Sequence, residues 1–105
     1  MIVRIWHGYT TTENAKEYQD LLFEEVWPGI EDKNVNGYKS IELIRRELEN
    51  EVEFITIMKF DDINAVIEFA GTNYQEAYVP QRARLLLKRF DSSSQHYEHL
   101  GAVNY

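Results

Sequence analysis

The stretch from Val52 to Phe60, VEFITIMKF, constrains the fold of this chain more than any other. It is short, rich in β-branched and aromatic residues, and bounded by the polar turn Glu49-Asn50-Glu51 and by Asp61-Asp62, which together predict a strand. Side chains alternate between the two faces of a strand. Val52, Phe54, Thr56, Met58 and Phe60 therefore share one face, and Ile55 and Ile57 lie on the other. A sheet with one wetted face reads apolar–polar. This strand is apolar on both faces over its middle, so each face needs a cover.

The neighbouring patterns supply one cover. Tyr38 to Leu48 alternates, with Ile41 and Leu43 on one face and Ser40 and Glu42 on the other, so 38–60 reads as a hairpin. Residues 2–9 read as an earlier strand. Thr10-Thr11-Thr12 then offers an N-cap to a helix whose stripe is Ala15, Tyr18, Leu22 and Val26, widened by Leu21 and Phe23. Pro28-Gly29 is predicted to end that helix, and Glu31 to Asn36 to form a polar loop. Asp61-Asp62 caps a second helix with Ile63, Val66, Ile67, Phe69 and Ala70 on its stripe and Gly71 at its close. Residues 72–90 hold a tyrosine-rich stretch, Pro80 and Arg84-Leu85-Leu86-Leu87. Asp91 to Ser94 is predicted as a turn and Gln95 to Leu100 as the last strand.

The order is thus β-α-β-β-α-β, an α+β, ferredoxin-like arrangement: a four-stranded antiparallel sheet with both helices on one face. Right-handed crossovers put the first and third strands in the centre and the last beside the first. Residues 1–105 are expected to form a single domain. The helix-free face, carrying part of the third strand's apolar surface, still lacks a cover. A second copy of the chain across a two-fold axis is the simplest one, giving a homodimer.

Composition removes several function classes. With 44% hydrophobic and 13% aromatic residues the chain is not a disordered tail. Its formal charge of −7 argues against nucleic acid, which needs a basic stripe to displace counterions. Arg45-Arg46 and the Arg82, Arg84, Lys88, Arg89 set are short and diluted by acids, so they read as solvated charge. The absence of cysteine excludes disulfides, thiolate zinc sites and cysteine nucleophiles. Met1 to Ile5 lacks the basic and apolar regions of a signal peptide, and no apolar run is long enough to span a membrane. The expectation is a soluble cytoplasmic protein with no membrane partner. Phosphate-binding glycine loops, dinucleotide fingerprints and nucleophile elbows are missing.

All three histidines fall in two aromatic runs, Trp6-His7-Gly8-Tyr9 and His96-Tyr97-Glu98-His99. The strands carrying them are predicted to lie side by side, with His7 opposite the Tyr97 region. His96 and Glu98 share one face, Tyr97 and His99 the other. A histidine beside a carboxylate can accept a proton near neutral pH. The plainer reading is a strand histidine hydrogen-bonded in the core or at an interface. Trp6 with Tyr9, Tyr74, Tyr78 and Tyr97 would suit a cavity for a flat aromatic ligand, or simply fill the core. Tyr74 and Tyr78 stand at helical spacing in an otherwise polar segment that can close over a pocket. Arg4 shares the face of Trp6. With Arg45 and Arg46 it could orient an anion or form ion pairs. His7, His96 and Glu98 are the one combination resembling a two-histidine, one-carboxylate set, but no ligand-spacing motif accompanies it, and no metal site is predicted.

IWHGYTTTENAKEY at the start, EFITIMKFDDINAVIEFAG in the middle and HYEHL near the end resemble antibiotic biosynthesis monooxygenase-type domains, over roughly residues 2–100. The resemblance implies a dimeric α/β barrel, in which two sheets pack face to face, and a pocket in each subunit between sheet and helices. It implies cofactor-free oxygenation of polycyclic phenols or oxidative opening of haem. Haem-degrading members use a first-strand asparagine, a tryptophan ending the third strand and a histidine after the second helix. This chain has His7 or Gly8, Phe60 and Tyr78 there, and so resembles the monooxygenases more than the haem oxygenases. The leading expectation is an oxygenase-like protein needing no cofactor and acting on an aromatic or quinone-like small molecule. His7 would be the base and His96 its partner, with Trp6, Tyr74, Tyr78, Tyr97 and Arg4 binding substrate. The rival expectations are a non-catalytic ligand-binding or structural homodimer, and a haem-binding relative.

Overall fold

The computed structural model describes residues 1–105. Strands β1 (Ile2–Thr10), β2 (Tyr38–Glu47), β3 (Val52–Phe60), β4 (Leu87–Phe90) and β5 (Gln95–Glu98) form one antiparallel sheet. Its order is β2-β3-β1, with β4 and β5 sharing the far edge of β1. As the sequence predicts, β1 and β3 are central. They pair along their whole length, from Ile2 opposite Phe60 to Thr10 opposite Val52.

The helices cover a single face. A helical arm runs through α1 (Ala15–Leu21), a π-helical turn (Leu22–Val26) and α2 (Trp27–Asp32), and α3 (Ile63–Ala70) and α4 (Gln81–Leu86) complete the layer. Ala15, Tyr18, Leu21 and Leu22 of the arm bury against Val52, Phe54, Val79 and Ala83. Ala65 and Val66 of α3 bury against Met58 and Phe60. The sealed face of β3 is thus its even-numbered one. Burying a large side chain here contributes about 1.5–3 kcal/mol. Asp62 caps α3 as expected, its Oδ1 accepting from the Ala65 N–H at 2.9 Å. The odd-numbered face of β3 carries Ile55 and Ile57 with no helix over them, and Ile44 of β2, opposite Ile55, is exposed.

Besides adding the short helix α4, which the sequence reading did not assign, the structure departs from that reading in two places. First, the arm does not stop at Pro28-Gly29. Proline lacks an N–H and its ring collides with the carbonyl four residues back. The π-turn removes the conflict: the Trp27 N–H bonds the Leu22 carbonyl, five residues back, and the ladder restarts. Pro28 then falls in the first turn of α2, where its missing N–H is no loss.

Second, the sheet has five strands rather than four, because the last one is broken. β4 pairs with Gly8–Thr10 and β5 with Ile2–Ile5. Between them the serine-rich turn leaves β1 and bonds the 75–77 segment instead: the Ser94 N–H reaches the Gln75 carbonyl, and the Ala77 N–H reaches that of Ser92. This ties the tyrosine-rich segment to the sheet.

Candidate functional site

A cavity of about 740 Å³ lies between the sheet and the helices. Arg4 and Trp6 of β1, with Thr56 and Met58 of β3, form its floor. Tyr18, Leu22 and Trp27 of the arm form one wall, and Phe69 with the Ala77–Ala83 run forms the other. A depression of similar volume between the outer faces of α1 and α4 is lined mainly by charged side chains, among them Glu13, Lys16, Glu17, Asp20 and Arg82, and is a solvated groove.

Trp6 is fixed from two directions. Its Nε1–H donates to the Asp91 carbonyl at 2.8 Å. Its ring lies over Gly8, where a Cβ would come within 2.9 Å of Trp6 Cζ3. Only glycine allows that approach.

Arg4 is 7% exposed. Its Nη1 donates to the Tyr74 carbonyl at 2.6 Å and to His96 Nε2 at 3.0 Å. A guanidinium has no acceptor, so His96 Nε2 must accept, and the imidazole is neutral with its proton on Nδ1. Burial, and then the charge of Arg4, hold His96 below the ordinary histidine range. The Tyr74 ring meets His96 edge-on at 5.1 Å between centroids. Burial also lowers the pKa of Arg4. No carboxylate lies within 4.0 Å of its guanidinium. Two further donors on the cavity wall are unmatched. Trp27 Nε1 is buried without a partner. Tyr18 is 1% exposed, and burial raises its pKa, so its hydroxyl keeps its proton.

His7 lies elsewhere. It is an odd-numbered residue of β1 and points to the helix-free face, away from Arg4, Trp6 and His96. There its Nδ1 is 2.9 Å from Asp91 Oδ2. The expected approach of His7 to His96 does not form. Val3, not His7, stands opposite Tyr97, and Arg4 stands opposite His96. The combination of His7, His96 and Glu98 is divided between faces, and no three potential ligands converge anywhere. Tyr97 shares the helix-free face and is 53% exposed. Tyr78 stands at the cavity rim, 83% exposed.

The structure therefore gathers Arg4, Tyr74 and His96 into one cluster and places Arg4, Trp6 and Tyr78 on one cavity. It leaves His7 and Tyr97 outside. Tyr18 and Trp27 escape a reading of the sequence as site residues: Tyr18 sits on an ordinary apolar stripe, and Trp27 adjoins the proline predicted to end the helix. The arrangement does not fit a histidine-ligated haem, because no histidine lines the cavity and Phe60 is sealed in the core.

No protein-family model matches the chain, and no curated protein matches it. Solved structures do. A Deinococcus radiodurans protein classed with the antibiotic biosynthesis monooxygenases is 14% identical and aligns with a TM-score of 0.66 over 100% of this chain and 98% of its own. The Streptomyces coelicolor monooxygenase from ActVA-Orf6, solved with nanaomycin D, is 14% identical with a TM-score of 0.65, covering 99% and 91%. Rv0793 from Mycobacterium tuberculosis is 16% identical with a TM-score of 0.62, covering 98% of each chain. The chain thus has the fold of antibiotic biosynthesis monooxygenase-type domains. No helix is long and apolar enough to cross a membrane.

Proposed function

We propose that this protein is a monooxygenase-like homodimer that takes a flat aromatic or quinone-like molecule into the cavity beneath its helices. The observation that carries the reading is the cavity itself: apolar walls, an indole fixed on the floor by Gly8 and Asp91, and a few donors without protein acceptors. The Streptomyces coelicolor neighbour, a monooxygenase holding a small ligand on the same fold, supports it. The reaction class is oxygenation in which the substrate supplies the electrons: a phenol and dioxygen give a quinone and water. One oxygen atom enters the ring carbon and the other leaves as water, so no external reductant is needed. Trp6 lines the aromatic slot, Arg4 meets the polar end, and Tyr78 borders the mouth. His7 faces the dimer surface and takes no part in proton transfer at the cavity.

The test is oxygen uptake by purified protein with a polycyclic phenol such as 1-naphthol. Trp6→Ala is expected to lower uptake at least about tenfold, roughly the loss of one well-placed aromatic contact. His7→Ala is expected to keep it. Undiminished uptake in Trp6→Ala would remove the cavity from the reaction. A second reading, ligand binding without turnover, is favoured by one feature: His96 Nε2 is occupied by Arg4, so the cavity presents no histidine base. Saturable naphthol binding with no oxygen consumption would establish it.

A further inference from the structure

We infer that α2 is a lid hinged at the π-turn, and that a ligand enters the cavity when α2 lifts rather than past the exposed rim at Tyr78. The inference rests on the cavity reading above and says how that site is entered.

Three observations carry it. First, burial along the helical arm is lopsided. Ala15, Tyr18, Leu21 and Leu22 are each no more than 7% exposed. From Phe23 to Asn34 every side chain is half-buried or exposed, and α2 has no fully buried residue. Yet Val26, Trp27 and Ile30 line the cavity. Burial of an apolar face is what holds a helix onto a sheet. The distal half of the arm is therefore held more loosely than the proximal half.

Second, both ends of α2 are built to turn. At its start the helical ladder is displaced by one residue, because the Trp27 N–H bonds the Leu22 carbonyl, and Pro28 contributes no N–H at all. At its end Asn34 has φ of +51°, a left-handed conformation that asparagine tolerates better than most residues. A six-residue rod lies between two joints. Third, the ties that hold the rod down are exposed. Lys33 Nζ donates to the Phe69 carbonyl at 3.2 Å and lies 4.6 Å over its ring. The Tyr38 hydroxyl donates to Glu31 at 3.1 Å, and Glu25, just before the rod, pairs with Arg82. Exposed contacts of this kind are individually weak. Beneath the rod, Trp27 Nε1 is buried without a partner. An unmatched buried donor disfavours the closed position, and lifting α2 hydrates it.

The other border of the cavity is fixed. Tyr78 is exposed, but Val79 beside it is 7% exposed in the core. The Ala77 N–H bonds the Ser92 carbonyl, and the Arg84 N–H bonds that of Pro80. No backbone bond joins α2 to another layer of the fold. Lids of this size open on microsecond to millisecond timescales and set the rate at which a site fills.

The test measures the rate of 1-naphthol binding by stopped-flow fluorescence of Trp6 and Trp27, the chain's two tryptophans, both on the cavity. The chain has no cysteine, so Lys33→Cys with Ala70→Cys gives one defined pair, at the end of α2 and the end of α3. A flexible bismaleimide with a reducible centre then ties the lid shut. Tying should slow association at least about tenfold, and cutting the linker with reductant should restore it. The same double variant capped with two N-ethylmaleimides carries similar bulk without the tie and should stay fast. Lys33→Ala, which removes the tie to Phe69, should raise the association rate about threefold and speed amide exchange over residues 27–33, with exchange in α1 unchanged. Should the double variant fail to fold, Lys33→Ala decides alone. Tied protein that binds at the untied rate, or Lys33→Ala with unaltered association and exchange, overturns the lid and leaves the cavity reading standing. Naphthol that leaves the fluorescence of wild-type protein unchanged removes the cavity reading and this inference with it.

Discussion

The two faces of β1 differ in how their charges are matched. On the even-numbered face, Arg4 is buried without a counter-ion beside Trp6 and an open cavity. On the odd-numbered face, the charges around His7 and Tyr9 are paired, while Lys59 and Glu42 further along it have no ion partner. His7 meets Asp91, and Glu53 takes the Tyr9 hydroxyl and the Arg46 guanidinium. Glu51 takes Lys88 and Arg89, and Arg89 also lies 3.6 Å over the Tyr9 ring. The bond from Arg46 is the main reason that Glu53 titrates below the usual carboxylate range. A face that carries a patch of isoleucines beside paired polar groups at one end suits contact with another surface. A face with spare donors over a hollow suits a ligand. One residue of strand register separates the two roles.

The comparison breaks first if the covered face does not dominate stability. Phe54 is 1% exposed and packs edge-on against Tyr18 at 4.9 Å. Phe54→Ala should cost about 3–5 kcal/mol in denaturant unfolding, and the loss in stability should not depend on protein concentration. A cost near zero would show that the core has been misplaced.

The helix-free face should respond differently. Ile57 lies at its centre, between Ile5 and Glu42 on the flanking strands. Ile57→Lys should leave the chain folded but weaken self-association by at least about 2 kcal/mol, the cost of burying an unmatched polar group. That is more than tenfold in the dimer dissociation constant, read by sedimentation equilibrium. An unchanged molecular weight in the variant, or a monomeric wild type, would leave Ile55 and Ile57 without the cover that their apolar side chains call for.

Much of this division was legible in the sequence. The two-residue period of 52–60 separates its faces correctly, and Arg4 and Trp6 are seen to share one face because they are two apart. The same rule puts His7 on the other face, but the partner of His7 depends on the path of the last strand. That path was not readable, because the serine-rich turn carries no hydrophobic period and its bonds to 75–77 are between backbone groups. Trp27 was hidden for another reason. The local chemistry of Pro28-Gly29 predicts a stop, and only the π-turn, set by long-range packing of the arm, carries the helix past it. Gly8 as the seat of the Trp6 ring could not be told from any strand glycine.

The smallest effect concerns His96, and its sign follows from the geometry. Burial and the Arg4 charge both disfavour the imidazolium in the folded protein. In the unfolded chain the side chain returns to about 6.5. At pH values between the two, the unfolded state binds a proton that the native state refuses, so stability rises with pH there. The contribution of His96 is complete above about pH 6.5 and declines as the pH falls through the lower, native value. Protonation also converts Nε2 from acceptor to donor, which removes one of the two bonds holding Arg4. His96→Gln keeps an acceptor oxygen and removes the titration. Its unfolding free energy should therefore fall less steeply than the wild type's on acidification. His7→Gln, on the opposite face, should preserve this component of the slope. Parallel curves for wild type and His96→Gln would mean that His96 is not the neutral support of Arg4, and the separation between the two faces of β1 would lose its chemical basis at that point.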